Sequence, residues 1–150
     1  MAVKSFTGGK KLEAYLARIA KQADKSATLR VGFLEGATYP DGTSVPMVAA
    51  IQEFGAPSKG IPPRPFFRGM IAEKKDTWGP AIGNLMKANQ YDAEKTLGQA
   101  GAGIKGQLQQ SIKDLTSPPL APSTVAAKGF DKPLIDTGHM LNSVDYDVKT

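Results

Sequence analysis

Apolar residues recur at spacings of three and four near the start of the chain. Leu12, Tyr15, Leu16, Ile19 and Ala23 share one stripe of a helix over residues 8 to 26, with Lys10, Lys11, Arg18, Lys21 and Lys25 off that stripe. The period then falls to two. Leu29, Val31 and Phe33 alternate with Thr28, Arg30 and Gly32, which predicts a half-buried strand over 28 to 34. A proline-led helix follows over 46 to 54, with Val48, Ile51 and Phe54 inward and Gly55 as its stop. Between strand and helix, residues 36 to 46 carry Asp41-Gly42 in a polar segment. They read as a long hairpin tip or an exposed loop, the loop being favoured.

From Ala56 to Pro65, four prolines and Gly60 oppose regular structure, and each proline turns the residue before it towards extended backbone. Residues 55 to 65 therefore read as a stiff extended arm. Phe67, Met70, Ile71 and Trp78 return to helical spacing. Gly79-Pro80 interrupts it and Ile82, Leu85 and Met86 resume it, predicting a kinked helix pair. The longest candidate helix, 91 to 115, has Leu97, Gly101, Ile104, Leu108, Ile112 and Leu115 along one seam, with Gly98, Gly101, Gly103 and Gly106 weakening its middle. Pro118, Pro119 and Pro122 break the chain, Ser123 to Lys128 make a short helix, and Val144, Tyr146 and Val148 alternate as a last strand. The expected fold is α+β and a single domain over 1 to 150. A small, mostly antiparallel sheet (28 to 34 and 143 to 149) packs against the 91 to 115 helix, beside the extended proline-rich arm.

Composition changes this picture mainly by exclusion. With 150 residues, 41% of them hydrophobic and 22% charged, the chain has the material for a core. The absence of cysteine rules out disulfides, thiolate metal sites and a cysteine nucleophile, and His139 as the only histidine rules out a multi-histidine metal site. No metal ligand set, cofactor or catalytic residue is expected. The longest strongly apolar run, Met47 to Ile51, is far short of the ~20 residues of a membrane span, so no membrane partner is expected. The net charge of +5 permits an acidic partner such as nucleic acid without requiring one.

Two motifs invite chemistry and fail on context. Gly101-Ala-Gly103-Ile-Lys-Gly106 has the letters of a dinucleotide fingerprint, but it follows a helical pattern rather than a strand, and no acidic residue stands about twenty positions later. Close packing of another backbone, or a helix break, is the plainer reading. His139 with Asp136 and Ser143 offers the residue types of a triad without a nucleophile elbow, and Asp136-Thr137-Gly138 reads as a turn or cap. The lysines of the first helix lack interleaved aromatics for base stacking, which leaves passive contact with DNA.

Two further segments are more specific. Val48-Ala-Ala-Ile-Gln-Glu-Phe-Gly-Ala, followed by Ile61-Pro-Pro-Arg-Pro-Phe-Phe-Arg68, resembles the neck and tail-completion proteins of long-tailed bacteriophages, the family that includes tail protein Z of phage lambda. Pro133-Leu-Ile-Asp-Thr-Gly-His-Met-Leu-Asn-Ser-Val144 is similar to that family's second signature, and the order and separation of the two agree. The resemblance covers roughly residues 28 to 148. It implies a structural, non-enzymatic virion component made in the bacterial cytoplasm, forming a hexameric ring with itself at the head–tail junction or tail end. Its other partners would be head-closure, tail-terminator or tail-tube proteins, with genomic DNA passing through the ring. A tail-terminator or head-closure role, or a small non-specific DNA-binding protein, are the alternatives.

On this reading Glu53, Phe54, Ile61, Arg64, Phe66, Phe67 and Arg68 form the subunit or partner interface, carried on the arm and its flanks. One of the two phenylalanines Phe66 and Phe67 packs internally on the competing reading. Lys10, Lys11, Arg18, Lys21 and Lys25 are the candidates to face DNA in the lumen.

Overall fold

A computed structural model describes residues 8 to 128 and 138 to 150. In chain order these form α1 (Gly9–Ala23), β1 (Thr28–Phe33), α2 (Val45–Phe54), a single 3-10 turn (Pro57–Lys59), α3 (Phe66–Ala88), α4 (Ala93–Asp114), α5 (Pro122–Lys128), α6 (His139–Asn142) and β2 (Val144–Lys149). The α+β expectation holds, with the long helix packed on a two-stranded antiparallel sheet.

The sheet pairs the two segments that the alternation marks, in a register from Thr28 opposite Lys149 to Phe33 opposite Val144. Two strands are marginal without support, and α4 supplies it. Leu29, Val31 and Tyr146 point to α4, while Arg30 and Asp147 pair on the other face, where the guanidinium holds the Asp147 carboxyl below its usual range. Asp145 is likewise held low, first by the Tyr146 backbone N–H and then by Lys105 of α4.

Gly101 sets how close helix and sheet come. A methyl group there would lie 2.4 Å from Cδ2 of Tyr146 and 2.7 Å from Cδ1 of Leu29. The spaces beside Gly98, Gly103 and Gly106 are open, so close packing is the explanation at one glycine of the four. The helix runs unbroken through all of them, which removes the strand–turn–helix context that a dinucleotide site needs. We expect Gly101→Ala to cost about 1–2 kcal/mol, because overpacking outweighs the gain in helix propensity, and Gly103→Ala to add about 0.5–1 kcal/mol. Urea midpoints at unchanged slope measure both; a stabilised Gly101→Ala protein would refute the close approach.

α3 and α4 form an antiparallel hairpin. Ser111 Oγ donates to the Phe66 carbonyl at 2.7 Å near one end, and Asn89 Nδ2 reaches Gln99 Oε1 at 2.7 Å near the other. The turn between them uses left-handed backbone at Gln90 and Tyr91. The expected interruption at Gly79-Pro80 does not occur: α3 is continuous, and both residues lie on its exposed side.

The core lies at the end of the hairpin where α3 begins. Val45, Ala49, Phe66, Met70, Leu108, Ile112, Met140 and Val144 are buried together there, edged by Phe33, Tyr39 and Phe67. Residues 36 to 46 are not an open loop. Tyr39 N–H donates to Thr43 O at 2.8 Å and Val45 N–H to Ala37 O at 2.9 Å, closing a small hairpin whose tip is Asp41-Gly42. α1 is amphipathic as its spacing implies, yet it contributes no buried residue, and Leu12, Tyr15 and Leu16 are about half exposed.

Candidate functional site

The inward face of α2 differs from the sequence expectation. Val45, Ala49 and Glu53, spaced by four, are buried; Val48 and Ile51 are intermediate, and Phe54 is 63% exposed. The reason is an ionic cap. Glu53 directs its carboxylate at the start of α3, where the first backbone N–H groups have no helical partner. Oε2 accepts from Phe67 N–H at 2.9 Å, and Oε1 from Arg68 N–H at 3.1 Å and Arg68 Nε at 2.7 Å. A negative charge at a helix N-terminus is favourable, and here it is supplied from thirteen residues upstream of Phe66, across the proline segment. Arg68 also donates through Nη2 to the Glu53 carbonyl at 3.2 Å and lies over the Phe54 ring, 4.7 Å from its centroid.

Gly55 makes the chain reversal possible. Its φ of 76° and ψ of 173° belong to a region open essentially to glycine. A side chain there would meet Ile61 O and Pro63 N, both at 2.8 Å. The Glu-Phe-Gly triplet thus has three separate tasks: a buried cap, an exposed ring and a backbone reversal.

The arm expected over 55 to 65 is extended only in its second part. Ala56 and Ile61 bridge each other around the 3-10 turn, folding the first part back on itself. Arg64, expected at an interface, is instead 4% exposed. Its backbone N–H donates to Gln52 O at 2.7 Å, Nη1 to Gln52 Oε1 at 3.1 Å, Nε to Pro118 O at 3.1 Å and Nη2 to Pro119 O at 3.3 Å. Burial pulls its guanidinium pKa below the ordinary arginine value. Arg64 ties α2 to the segment after α4, so its role is internal.

Phe66 is also internal, at 1% exposure, with its ring edge-on to Phe33 at 6.1 Å. Phe67 and Ile61 are half-buried. Of the seven interface candidates, Phe54 and Arg68 are the exposed ones, and with Phe67, Phe33, Pro46 and Ala50 they line a nearly apolar surface groove of about 250 Å³. Met47, 53% exposed, stands on α2 beside Pro46. The sequence reading does not place it at the interface; it lies one residue before the Val48–Ala56 segment, as the first residue of the Met47–Ile51 apolar run.

Lys10, Lys11, Arg18, Lys21 and Lys25 are all exposed, with Arg18 over the Tyr15 ring at 5.4 Å. At 100° per residue Lys10, Lys11, Arg18 and Lys21 occupy an arc of about 100° beside the apolar stripe, whereas Lys25, expected on the same helix, lies beyond its end at Ala23. Near the chain's end, Ser143 Oγ donates to the His139 backbone carbonyl at 2.6 Å, and the imidazole faces Tyr39 with ring centroids 5.7 Å apart. Gly138 caps α6 in the left-handed region, while Asp136 and Thr137 fall outside the described residues, as do Pro133, Leu134 and Ile135 of the Pro133–Val144 segment. Among the described residues no cluster of acidic and histidine side chains has the make-up of a metal site, and no helix is long and apolar enough to cross a membrane. Comparison with protein-family models, with curated proteins and with solved structures gave no match for the chain.

Proposed function

We propose that this chain is a structural subunit of a long-tailed bacteriophage particle, assembling as a ring at the head–tail junction or the tail end. The reading starts from the resemblance of residues 48 to 68 and 133 to 144 to neck and tail-completion proteins. One observation carries it on the structural side: among the described residues large apolar side chains stand uncovered in groups on two helices, Leu12, Tyr15 and Leu16 on α1 and Met47 and Phe54 on α2, besides the single residues Leu34 and Ile71. Uncovered apolar area of this kind marks contact with another protein. Two distinct patches on one chain suit head-to-tail association, which closes into a ring when the rotation permits. The basic arc of α1 then suits a lumen through which DNA passes without being read.

In this role the protein is made in the bacterial cytoplasm and ends in the virion, beside a head-closure, tail-terminator or tail-tube protein. Particles assembled without it should accumulate as filled heads and separate tails in electron micrographs. Particles that join, retain their genome and infect normally would overturn the assignment.

The exposed cations of α1 favour one second reading, a small non-specific DNA-binding protein. It would require the full chain to bind duplex at physiological salt more tightly than the ~1 µM end of ordinary non-specific affinity, with no defect in particles that lack it.

A further inference from the structure

The C-terminal end of α1 and the apolar groove beside α2 lie near opposite ends of α4. α1 is anchored at its C-terminal end, where Gln22, Lys25 and Ala27 share a crevice with Asp92 and Glu94 at the start of α4. The groove formed by Phe33, Pro46, Ala50, Phe54 and Phe67 is beside the start of α3, which lies against the far end of α4. α4 has 22 residues, which at 1.5 Å each separates the two places by about 33 Å. α1 is only about 22 Å long by the same rule, and the residues of its apolar stripe nearest the anchor are Ile19 and Ala23. A chain therefore cannot lay this stripe in its own groove while α1 stays anchored.

We infer that α1 of one subunit occupies the groove of the next. Leu12, Tyr15, Leu16 and Ile19 lie against Phe54, Phe67 and Ala50 of that second copy. The inference rests on the ring reading above and names the two faces that meet.

Charge fixes the orientation. The apolar stripe of α1 is bordered on one side by the basic arc and on the other by Glu13. The groove wall carries Arg68, whose side chain remains 57% exposed despite its bonds to Glu53. Docking with Glu13 towards Arg68 joins opposite charges and turns Lys10 and Lys21 away from the cation. The reverse orientation sets Lys11 and Arg18 against Arg68. The same pose leaves the basic arc on the free side of the helix. A footprint of roughly 22 by 10 Å falls well below the ~800 Å² per partner of a standard interface, so the contact is weak in the free protein and is consolidated by ring closure.

The cysteine-free chain makes the test direct. Leu16→Cys and Ala50→Cys alter exposed positions and should leave the fold intact. In the full chain at high concentration, oxidation of the double variant should give a ladder of dimers, trimers and larger species. A mixture of the two single variants should stop at heterodimers. Adding Glu13→Arg should lower the yield about threefold, the scale of a rim ion pair. A cross-linked monomer without a ladder, or Leu16→Cys alone dimerising as well as the mixture, would overturn the pairing. So would an absence of cross-links while light scattering of the unmodified protein still shows oligomers, an outcome that spares the ring reading. Normal particles without the protein would instead remove the ring reading itself.

Discussion

Phe66→Ala lowers the unfolding free energy by about 3–5 kcal/mol, the range for truncating a fully buried aromatic, whereas Phe54→Ala changes it by no more than about 1 kcal/mol. Both residues belong to the segment from Val48 to Arg68, from which the sequence alone assigns both to an interface. Their environments are not. Phe66 is 1% exposed within the core and touches Phe33, while Phe54 is 63% exposed with only the Arg68 guanidinium over its face. Thermal melts separate the two: at about 2–4 °C per kcal/mol for a chain of this size, Phe66→Ala drops the midpoint by about 10 °C. Phe54→Ala keeps the midpoint and, on the ring reading proposed above, shifts light scattering of the concentrated protein towards monomer. A Phe54→Ala protein that unfolds, or a Phe66→Ala protein that melts normally, would contradict the division between core and surface.

Removing the Glu53 carboxylate has the second large effect. In Glu53→Ala the three bonds at Phe67 N, Arg68 N and Arg68 Nε vanish together, α3 loses its cap and a void opens beside Ala49. Bonds to a charged acceptor contribute about 1.5–3 kcal/mol apiece when isolated. They are not additive here, and Arg68 can turn to water because its side chain is mostly exposed. The net loss is therefore about 2–4 kcal/mol. Glu53→Gln retains one amide oxygen as acceptor and should recover roughly half of it. Urea unfolding of both variants measures this ordering. If Glu53→Gln proves as unstable as Glu53→Ala, the carboxylate's two-oxygen geometry is what matters; if neither is destabilised, the cap contributes nothing.

Much of the architecture is readable from residue order alone. The alternation at Leu29, Val31 and Phe33 and at Val144, Tyr146 and Val148 marks both strands, and the seam from Leu97 to Leu115 marks α4. Each depends on local period, which the sequence carries directly. What was not readable depends on distant partners. Glu53 points inward because the start of α3 needs an acceptor, and nothing within α2 reveals that need. Arg64 is buried because the carbonyls of Pro118 and Pro119, 54 and 55 residues away, receive it. α2 is apolar on most of its circumference, so its pattern does not choose between the Val45–Ala49–Glu53 face and the Val48–Ile51 face. α1 fails in the opposite way: its stripe is regular, yet periodicity reports only that a face is apolar, not whether the same chain covers it.

The candidate interface divides along the same line. Phe54 and Arg68 emerge from the reading of 48 to 68 as surface groups, whereas Arg64 and Phe66 share that segment and serve the interior. A motif's letters do not state which side of the chain faces out. Gly55 shows the converse, since its conformation explains a letter that local propensity treats only as a helix stop.

The pairing of Arg30 with Asp147 spans 117 residues. Closing so long a loop is entropically late, so during translation β1 waits, with both of its edges bare, until residues 144 to 149 have been made. Newly synthesised copies on one polysome present such edges to each other, which makes strand exchange between nascent chains the expected misfolding route.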